Sequence, residues 1–190
     1  MKDIYKLGGL LMLITAVAAT ALAGIYSVAK PRIDAQKQKV VENALDVALP
    51  NTGKQAIKPA DENNSFDYYR AYQSPERQDV KGYAYIARGP GYSSTIETMV
   101  GVDTSGTIQG IKVLSQQETP GLGTRIQEVK YGETVPWFPK QFLGKKASEV
   151  ALERDGGDIQ AITGATISSR AMTNSISEGY EQLKEKINKN

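Results

Sequence analysis

The 190-residue chain contains no cysteine and no histidine. Without cysteine it can form no disulfide, hold no iron–sulfur cluster through thiolates and carry no catalytic thiol. Without histidine it has no imidazole base, no Ser-His-Asp triad and no ordinary zinc site, so we expect no bound metal. Neither G-x-x-x-x-G-K-[ST] nor G-x-G-x-x-G occurs, which excludes nucleotide binding by those loops. The net charge of +2 is too small to favour nucleic acid, and we expect no nucleic-acid partner.

Residues 7–29 form one long stretch without any charge, LGGLLMLITAVAATALAGIYSVA. Roughly 20 apolar residues are enough to cross the hydrocarbon core of a bilayer. A cleaved signal peptide is the alternative, because ALAG resembles a cleavage site. The uncharged run is long for a signal peptide, so the sequence predicts an uncleaved N-terminal membrane anchor over residues 1–30, with residues 7–29 in contact with lipid.

Positive charges flank this anchor on both sides. Two lysines precede it and four cations follow closely, namely Lys30, Arg32, Lys37 and Lys39. Counted literally, the positive-inside rule would keep the rest of the chain in the cytoplasm. The difference in charge between the two sides is small, four cations against two lysines.

After Pro31, apolar residues recur on one side of a predicted helix. They are Ile33, Val40, Val41, Ala44, Leu45 and Ala48. We interpret residues 31–50, closed by Pro50, as a stalk helix that leads away from the bilayer and packs on the domain edge. Residues 51–190 then form one domain of common size.

The pattern within this domain predicts an α+β fold, an antiparallel sheet flanked by helices. Residues 54–78 are interpreted as loop with one strand near FDYYRAYQ, and GYAYIAR, TIETMVGVD and TIQGIKVL as an antiparallel meander. Further on, ASEVALE indicates a short strand or a helical turn, and GDIQAI a short strand. A terminal helix is predicted from one apolar face made of Met172, Ile176, Tyr180, Leu183 and Ile187.

The segment TGATISS, residues 163–169, lies between the last predicted strand and the terminal helix. A hydroxyl at such a place ordinarily caps the free amides of the first helical turn. The same amides and the partial positive charge of a helix N-terminus also favour a phosphate. Gly164 and Ala165 leave space beside the Thr166 hydroxyl. The pattern therefore allows anion binding without specifying a cofactor.

Two motifs, TGAT at 163–166 and ETPGLG at 118–123, carry a resemblance to a known family. The sequence is similar to the FMN-binding domain of the G subunit of the Rnf complex, a membrane electron-transport assembly, and of the related C subunit of the sodium-translocating NADH:quinone reductase. The resemblance covers roughly residues 81–187 and includes GYSSTI and FLGKK less specifically. The short chain favours the Rnf protein. The resemblance implies a membrane-anchored flavoprotein that transfers electrons in an ion-translocating ferredoxin:NAD oxidoreductase, without catalytic residues of its own.

The resemblance also implies roles for particular residues. The family attaches FMN as a phosphoester to the last threonine of the motif, here Thr166, and the small Gly164 and Ala165 belong to the same motif. Leu122 and Gly123 are expected against the flavin ring and Thr119 at its edge. Four further residues are candidates for the site. Glu118 either contacts the flavin or holds the loop in shape, Lys145 either pairs with the phosphate or is solvated, and Ser168 and Ser169 are expected to donate to the phosphate.

The family usually has an acidic residue three positions before Thr163, where this chain has Gln160. That difference predicts slower attachment by the flavin transferase that matures the family. The resemblance further implies the other Rnf subunits as partners and a soluble domain outside the cytoplasm, against the literal charge count.

Two other classes of function stay open at this point. A serine hydrolase without histidine needs a lysine base, and Ser168 with Lys145 or Lys146 is the candidate pair. The other alternative is a membrane-tethered binding module without a redox role, in which TGAT only caps a helix.

Overall fold

A computed structural model describes residues 2–53, 56–60, 67–76 and 79–188. The chain forms two compact units, Met1–Val40 and Val41–Asn190. The first helix, α1, runs over Lys2–Ala48 and so supplies the first unit and the beginning of the second.

In the first unit, α1 is long and apolar enough to cross a membrane by length and composition. Its large apolar side chains are exposed, for example Leu7 at 67% and Met12 at 75%. Pro31 lies inside the helix and does not end it. The anchor and stalk that we predicted as separate segments therefore belong to one helix. A proline removes one backbone hydrogen bond, and a long helix can bend around that position instead of stopping.

The second unit is built on a five-stranded antiparallel sheet in the order β1-β2-β3-β4-β5. The strands are β1 (Ile57–Pro59), β2 (Tyr68–Tyr72), β3 (Val80–Pro90), β4 (Thr95–Asp103) and β5 (Ile108–Ser115). Each strand follows its neighbour in sequence, because short turns suffice between antiparallel strands. Two 3₁₀ turns (Gly123–Gln127 and Glu153–Asp155) and the short helix α2 (Trp137–Lys140) follow, and α3 (Thr166–Asn188) ends the unit.

α3 packs on one face of this sheet. The predicted apolar face is confirmed, since Met172, Ile176 and Leu183 are buried in the main core. On the sheet, the fully buried Tyr85 donates a hydrogen bond of 2.7 Å to the carbonyl of Ile176. Burial also raises the pKa of Tyr85, so its hydroxyl stays protonated as a donor. These contacts fix where α3 begins relative to β3.

The end of α1 packs on the opposite face of the sheet. Ala44, Leu45 and Ala48 are buried there in a second core with Ala71, Ala84, Ile86 and Met99. Gly101 and Gly110 face each other across β4 and β5. A Cβ atom on either glycine would collide with the backbone at the end of α1. Two opposed glycines thus give the helix the space to approach the sheet.

The predicted α+β class and the meander are confirmed, and two local predictions are wrong. GDIQAI forms no strand, since only Ile159 pairs, in an isolated bridge with Leu152. ASEVALE is mostly turn and forms neither a strand nor a helix. Both segments lie in a loop that crosses the end of the core, so their apolar residues are buried without a neighbouring strand. β1 and α2 were not predicted, and parts of the 54–78 stretch lie outside the described residues.

Candidate functional site

Three segments meet at the N-terminal end of α3 and enclose a pocket of about 540 Å³. They are the turn between β3 and β4, the loop that carries ETPGLG, and the TGATIS stretch. The lining residues are Tyr92, Thr119, Leu122, Gly123, Gly164, Ala165, Thr166, Ile167 and Ser168. The fold therefore brings together the two motifs that the sequence singled out, which lie about 40 residues apart along the chain.

Thr166 is the first residue of α3, which begins slightly earlier than the predicted start near Ser168. Within the described part of the chain, neither its hydroxyl nor the amides of Thr166, Ile167 and Ser168 have a hydrogen-bond partner. The first amide with an acceptor is that of Ser169, which donates to Ala165 at 3.0 Å. The pocket wall thus presents one hydroxyl and three free N–H groups, an arrangement that favours a phosphate.

Gly164 shapes the turn before α3. Its φ of +80° lies in the left-handed region that glycine adopts without strain. A Cβ atom there would lie 3.2 Å from Cδ2 of Leu122, so the ETPGLG loop rests directly against this glycine. Ala165 is buried and its amide donates to Ile162 at 2.9 Å. Small residues at both positions are therefore required by the packing around Thr166.

The hydroxyls of Ser168 and Ser169 have protein partners, so a donor to a phosphate at these two residues would be a backbone amide. Ser169 donates to the carbonyl of Ala165 at 2.9 Å and accepts from the amide of Ile162 at 3.0 Å, and it is fully buried. It fastens the TGAT turn to α3. Ser168 donates to Glu118 Oε2 at 2.5 Å. The backbone amide of Ser168, and not its hydroxyl, remains free for a ligand.

Glu118 is a buried carboxylate, 4% exposed, that holds all three segments together. Besides the Ser168 hydroxyl it accepts the backbone amides of Tyr92, Ser93 and Ser94, each at 3.0 Å. Burial alone raises the pKa of this carboxyl, but the bond from Ser168 and the three amide bonds outweigh burial and lower the pKa below its ordinary value. Of our two interpretations of Glu118, the contacts favour the one in which it holds the loop in shape.

Two glycines, Gly91 and Gly123, leave room for the Glu118 carboxylate and its hydrogen bonds. A Cβ atom on Gly91 would lie 2.5 Å from Glu118 Oε1, and one on Gly123 would lie 2.6 Å from the Ser168 hydroxyl. A side chain at either position would displace the hydrogen-bond network. Gly123 therefore packs against Ser168 and Glu118. This contact is separate from its expected position against the flavin ring.

The mouth of the pocket is apolar and open. Tyr92 is 70% exposed, Ile167 53% and Leu122 44%. Tyr92 and Ile167 are pocket residues that the sequence interpretation missed. The signal was present, since Tyr92 belongs to GYSSTI and Ile167 is an apolar residue directly after TGAT. Only the fold shows that both line the same pocket. Thr119 lies at this mouth too, with its hydroxyl 3.3 Å from that of Ser93.

Lys145 does not line this pocket. Its ammonium group pairs with Asp158 in a separate polar depression that also includes Lys146. Lys146 donates to the carbonyl of Ser105 at 2.8 Å. Since Ser168 is bonded to Glu118 and both lysines have other partners, the Ser–Lys pair of the hydrolase alternative is not formed.

A smaller polar pocket of about 250 Å³ adjoins the first one and shares Gly164 and Thr166 with it. Glu153, Arg154, Gln160 and Thr163 also line it. The side chain of Gln141 makes two hydrogen bonds to the backbone of Gln160. It accepts from the Gln160 amide at 2.9 Å and donates to the Gln160 carbonyl at 3.1 Å. Gln160 therefore lies in the same polar pocket as Thr166.

Comparison with known proteins identifies the family of this chain. Residues 91–181 match the model of the FMN-binding domain, a span that contains the whole pocket. The chain is 32% identical to the G subunit of the ion-translocating oxidoreductase complex of Haemophilus influenzae strain PittEE, over 91% of this chain and 86% of the relative. It is 31% identical to the G subunit of the Na(+)-translocating ferredoxin:NAD(+) oxidoreductase complex of Acetobacterium woodii, over 92% and 89% of the two chains. Shewanella oneidensis NqrC aligns at a TM-score of 0.46 and 18% identity over 73% of this chain and 74% of that one.

The fold and the site thus define a protein in which an FMN-binding domain follows an apolar N-terminal helix along the chain. The chain belongs to the family of G subunits of the ion-translocating oxidoreductase, or Rnf, complexes.

Proposed function

We propose that this protein is a membrane-anchored electron-transfer subunit that carries FMN as a phosphoester on Thr166, within an ion-translocating ferredoxin:NAD oxidoreductase complex. The observation that supports this most directly is the hydroxyl of Thr166, which has no partner among the described residues and opens on a pocket with a polar and an apolar side. Ala165, which precedes the first helical residue, has no side-chain oxygen to cap the amides of the first turn.

The phosphate end of the cofactor fits the first turn of α3. The amides of Thr166, Ile167 and Ser168 are free within the described structure and provide donors for phosphate oxygens. The partial positive charge of the helix terminus adds roughly 0.3–1 kcal/mol of attraction for an anion. Of the two interpretations of Lys145, its pairing with Asp158 away from this pocket favours the one without a phosphate contact.

The ring end fits the open apolar mouth. Tyr92, Leu122 and Ile167 present apolar surface that is otherwise exposed to water. The isoalloxazine supplies the electron transfer when FMN is bound, and the protein supplies placement and electrostatics. Leu122 and Gly123 then lie against the ring, with Thr119 near its edge.

Attachment requires an activated donor, because the free phosphate of FMN has no good leaving group. We propose that a flavin transferase supplies a flavin nucleotide in phosphoanhydride form. The Thr166 oxygen forms a bond to phosphorus as the anhydride bond breaks, the leaving group departs as a phosphate anion, and the hydroxyl proton passes to a base of the transferase. No electron is exchanged in this step.

A covalent tether suits so open a pocket. A short link keeps the flavin at an effective local concentration on the order of millimolar or more. The phosphoester achieves this without any change to the ring atoms that carry the electrons. The other subunits of the complex are the proposed electron partners.

Intact-mass measurement on the full chain, co-expressed with a flavin transferase, tests the proposal. We expect one FMN per chain, retained after denaturation, and a flavin-bearing peptide that contains Thr166. Protein that stays at its unmodified mass, although an established flavoprotein of the family is loaded by the same transferase, would contradict the proposal and leave the non-redox binding module.

Leu122→Ala is expected to leave FMN attached while shifting its midpoint potential and increasing access of water to the ring. Leu122 is 44% exposed and rests on Gly164 at the pocket mouth, so its loss removes apolar cover without touching Thr166. Leu143→Ala is the matched control, since Leu143 is 41% exposed and does not line the pocket. A visible spectrum and potential equal to those of wild type would rule out contact between Leu122 and the ring.

We further propose that residues 7–29 anchor the chain in the cytoplasmic membrane as a single span, with the domain outside the cytoplasm. The family resemblance supports this side, whereas the literal charge count opposes it. Protease added to intact spheroplasts should digest the domain. Protection until lysis would place the domain in the cytoplasm.

A further inference from the structure

We infer that Tyr92 is a flavin-contacting residue whose ring stacks on the isoalloxazine, covers it from water and quenches its fluorescence. The inference rests on the proposed FMN site. It adds a contact that neither sequence motif identified, and it assigns that contact a measurable signature.

The backbone of Tyr92 is held firmly although its side chain is exposed. Its amide donates to Glu118 Oε2 at 3.0 Å, and the next two amides donate to Oε1 of the same buried carboxylate. The turn between β3 and β4 therefore has one preferred position relative to the start of α3. An aromatic ring on such a turn is placed at the pocket mouth before any ligand arrives.

The ring itself is 70% exposed and lines the pocket together with Leu122 and Ile167. A large aromatic side chain on a rigid turn gains from a flat apolar ligand that removes its surface from water. Aromatic side chains stack on planar heterocycles in this way in nucleic-acid complexes, at about 1–3 kcal/mol per base. The isoalloxazine is a larger planar heterocycle of the same kind.

A tyrosine in contact with a flavin has a distinct photophysical effect. With FMN bound, the Tyr92 phenol would donate one electron to the excited flavin and take it back by charge recombination, so fluorescence would be lost without net oxidation or reduction. Phenylalanine has a similar shape but is a poor electron donor. The two properties of Tyr92, cover and quenching, can therefore be separated by substitution.

The test uses full-length protein loaded with FMN and compares four forms by fluorescence lifetime, midpoint potential and iodide quenching. Tyr92→Phe should raise the fluorescence several-fold with the potential and water access near those of wild type. Tyr92→Leu should raise the fluorescence, shift the potential and increase quenching by iodide. Tyr131→Leu is the matched control and should change none of these, because Tyr131 is fully exposed and does not line the pocket.

Loaded Tyr92→Phe and Tyr92→Leu proteins with wild-type lifetimes would overturn the inference about Tyr92. This outcome would leave the FMN site itself intact, since covalent loading is measured separately by mass. An unloaded wild-type protein would instead overturn the proposed function, and with it the inference.

Discussion

Thr166→Ala should abolish covalent FMN while leaving the domain folded. The hydroxyl of Thr166 makes no hydrogen bond within the described chain, so its loss breaks no cap. Alanine also has the highest helix propensity. We therefore expect a change in unfolding free energy within about 0.5 kcal/mol, as for surface substitutions away from special features. Intact mass should show no flavin, and circular dichroism should match wild type.

Two controls separate loss of the acceptor from damage to the turn. Thr163→Ala changes an exposed threonine that lines only the smaller polar pocket, so FMN should still attach. Thr166→Ser keeps a hydroxyl at the same position and should still accept FMN. Undiminished covalent flavin in Thr166→Ala, or peptide mapping that finds FMN on Thr163, Ser168 or Ser169, would refute the assignment.

Glu118→Gln should destabilise the domain and weaken its response to acid. The carboxylate accepts from three backbone amides and the Ser168 hydroxyl in a buried place. A glutamine presents an NH₂ group to donors that need an acceptor, and a buried donor left unpaired costs about 1–3 kcal/mol. We expect the free energy of unfolding to fall by about 2–3 kcal/mol at neutral pH. Denaturant unfolding measures this change.

The pH dependence has a defined sign. Because the folded pKa of Glu118 is lowered, its contribution is fully present above its ordinary pKa of about 4.5 and is lost as the pH falls through the folded pKa. The free energy of unfolding of wild type should therefore fall as the pH drops below about 4.5. That of Glu118→Gln should fall less over the same pH range. Glu97→Gln is the control, since this more exposed partner of Arg88 should contribute at most about 1 kcal/mol. An acid response in Glu118→Gln equal to that of wild type would remove Glu118 from this role.

The sequence by itself determined the class of fold and pointed to Thr166 as the proposed acceptor of FMN. Alternating strands at GYAYIAR, TIETMVGVD and TIQGIKVL and the apolar face of α3 are local patterns, and the structure has them where they were predicted. The prediction of a strand at GDIQAI was wrong, because the apolar residues of a short segment can be buried equally well in a loop. Pro31 lies inside α1, because a proline weakens a helix locally without deciding its length.

Only the tertiary structure decided which side chains share the pocket. Tyr92, Leu122 and Ile167 come from three segments far apart in sequence, and no local pattern records that they meet. The same holds for hydrogen-bond partners. The partly exposed ammonium of Lys145 pairs with Asp158, away from the pocket. The hydroxyls of Ser168 and Ser169 are taken by Glu118 and Ala165, because a buried polar group takes whichever partner the packing places beside it. A motif can name the residue that accepts a phosphate, but the residues that surround that phosphate are chosen by the fold.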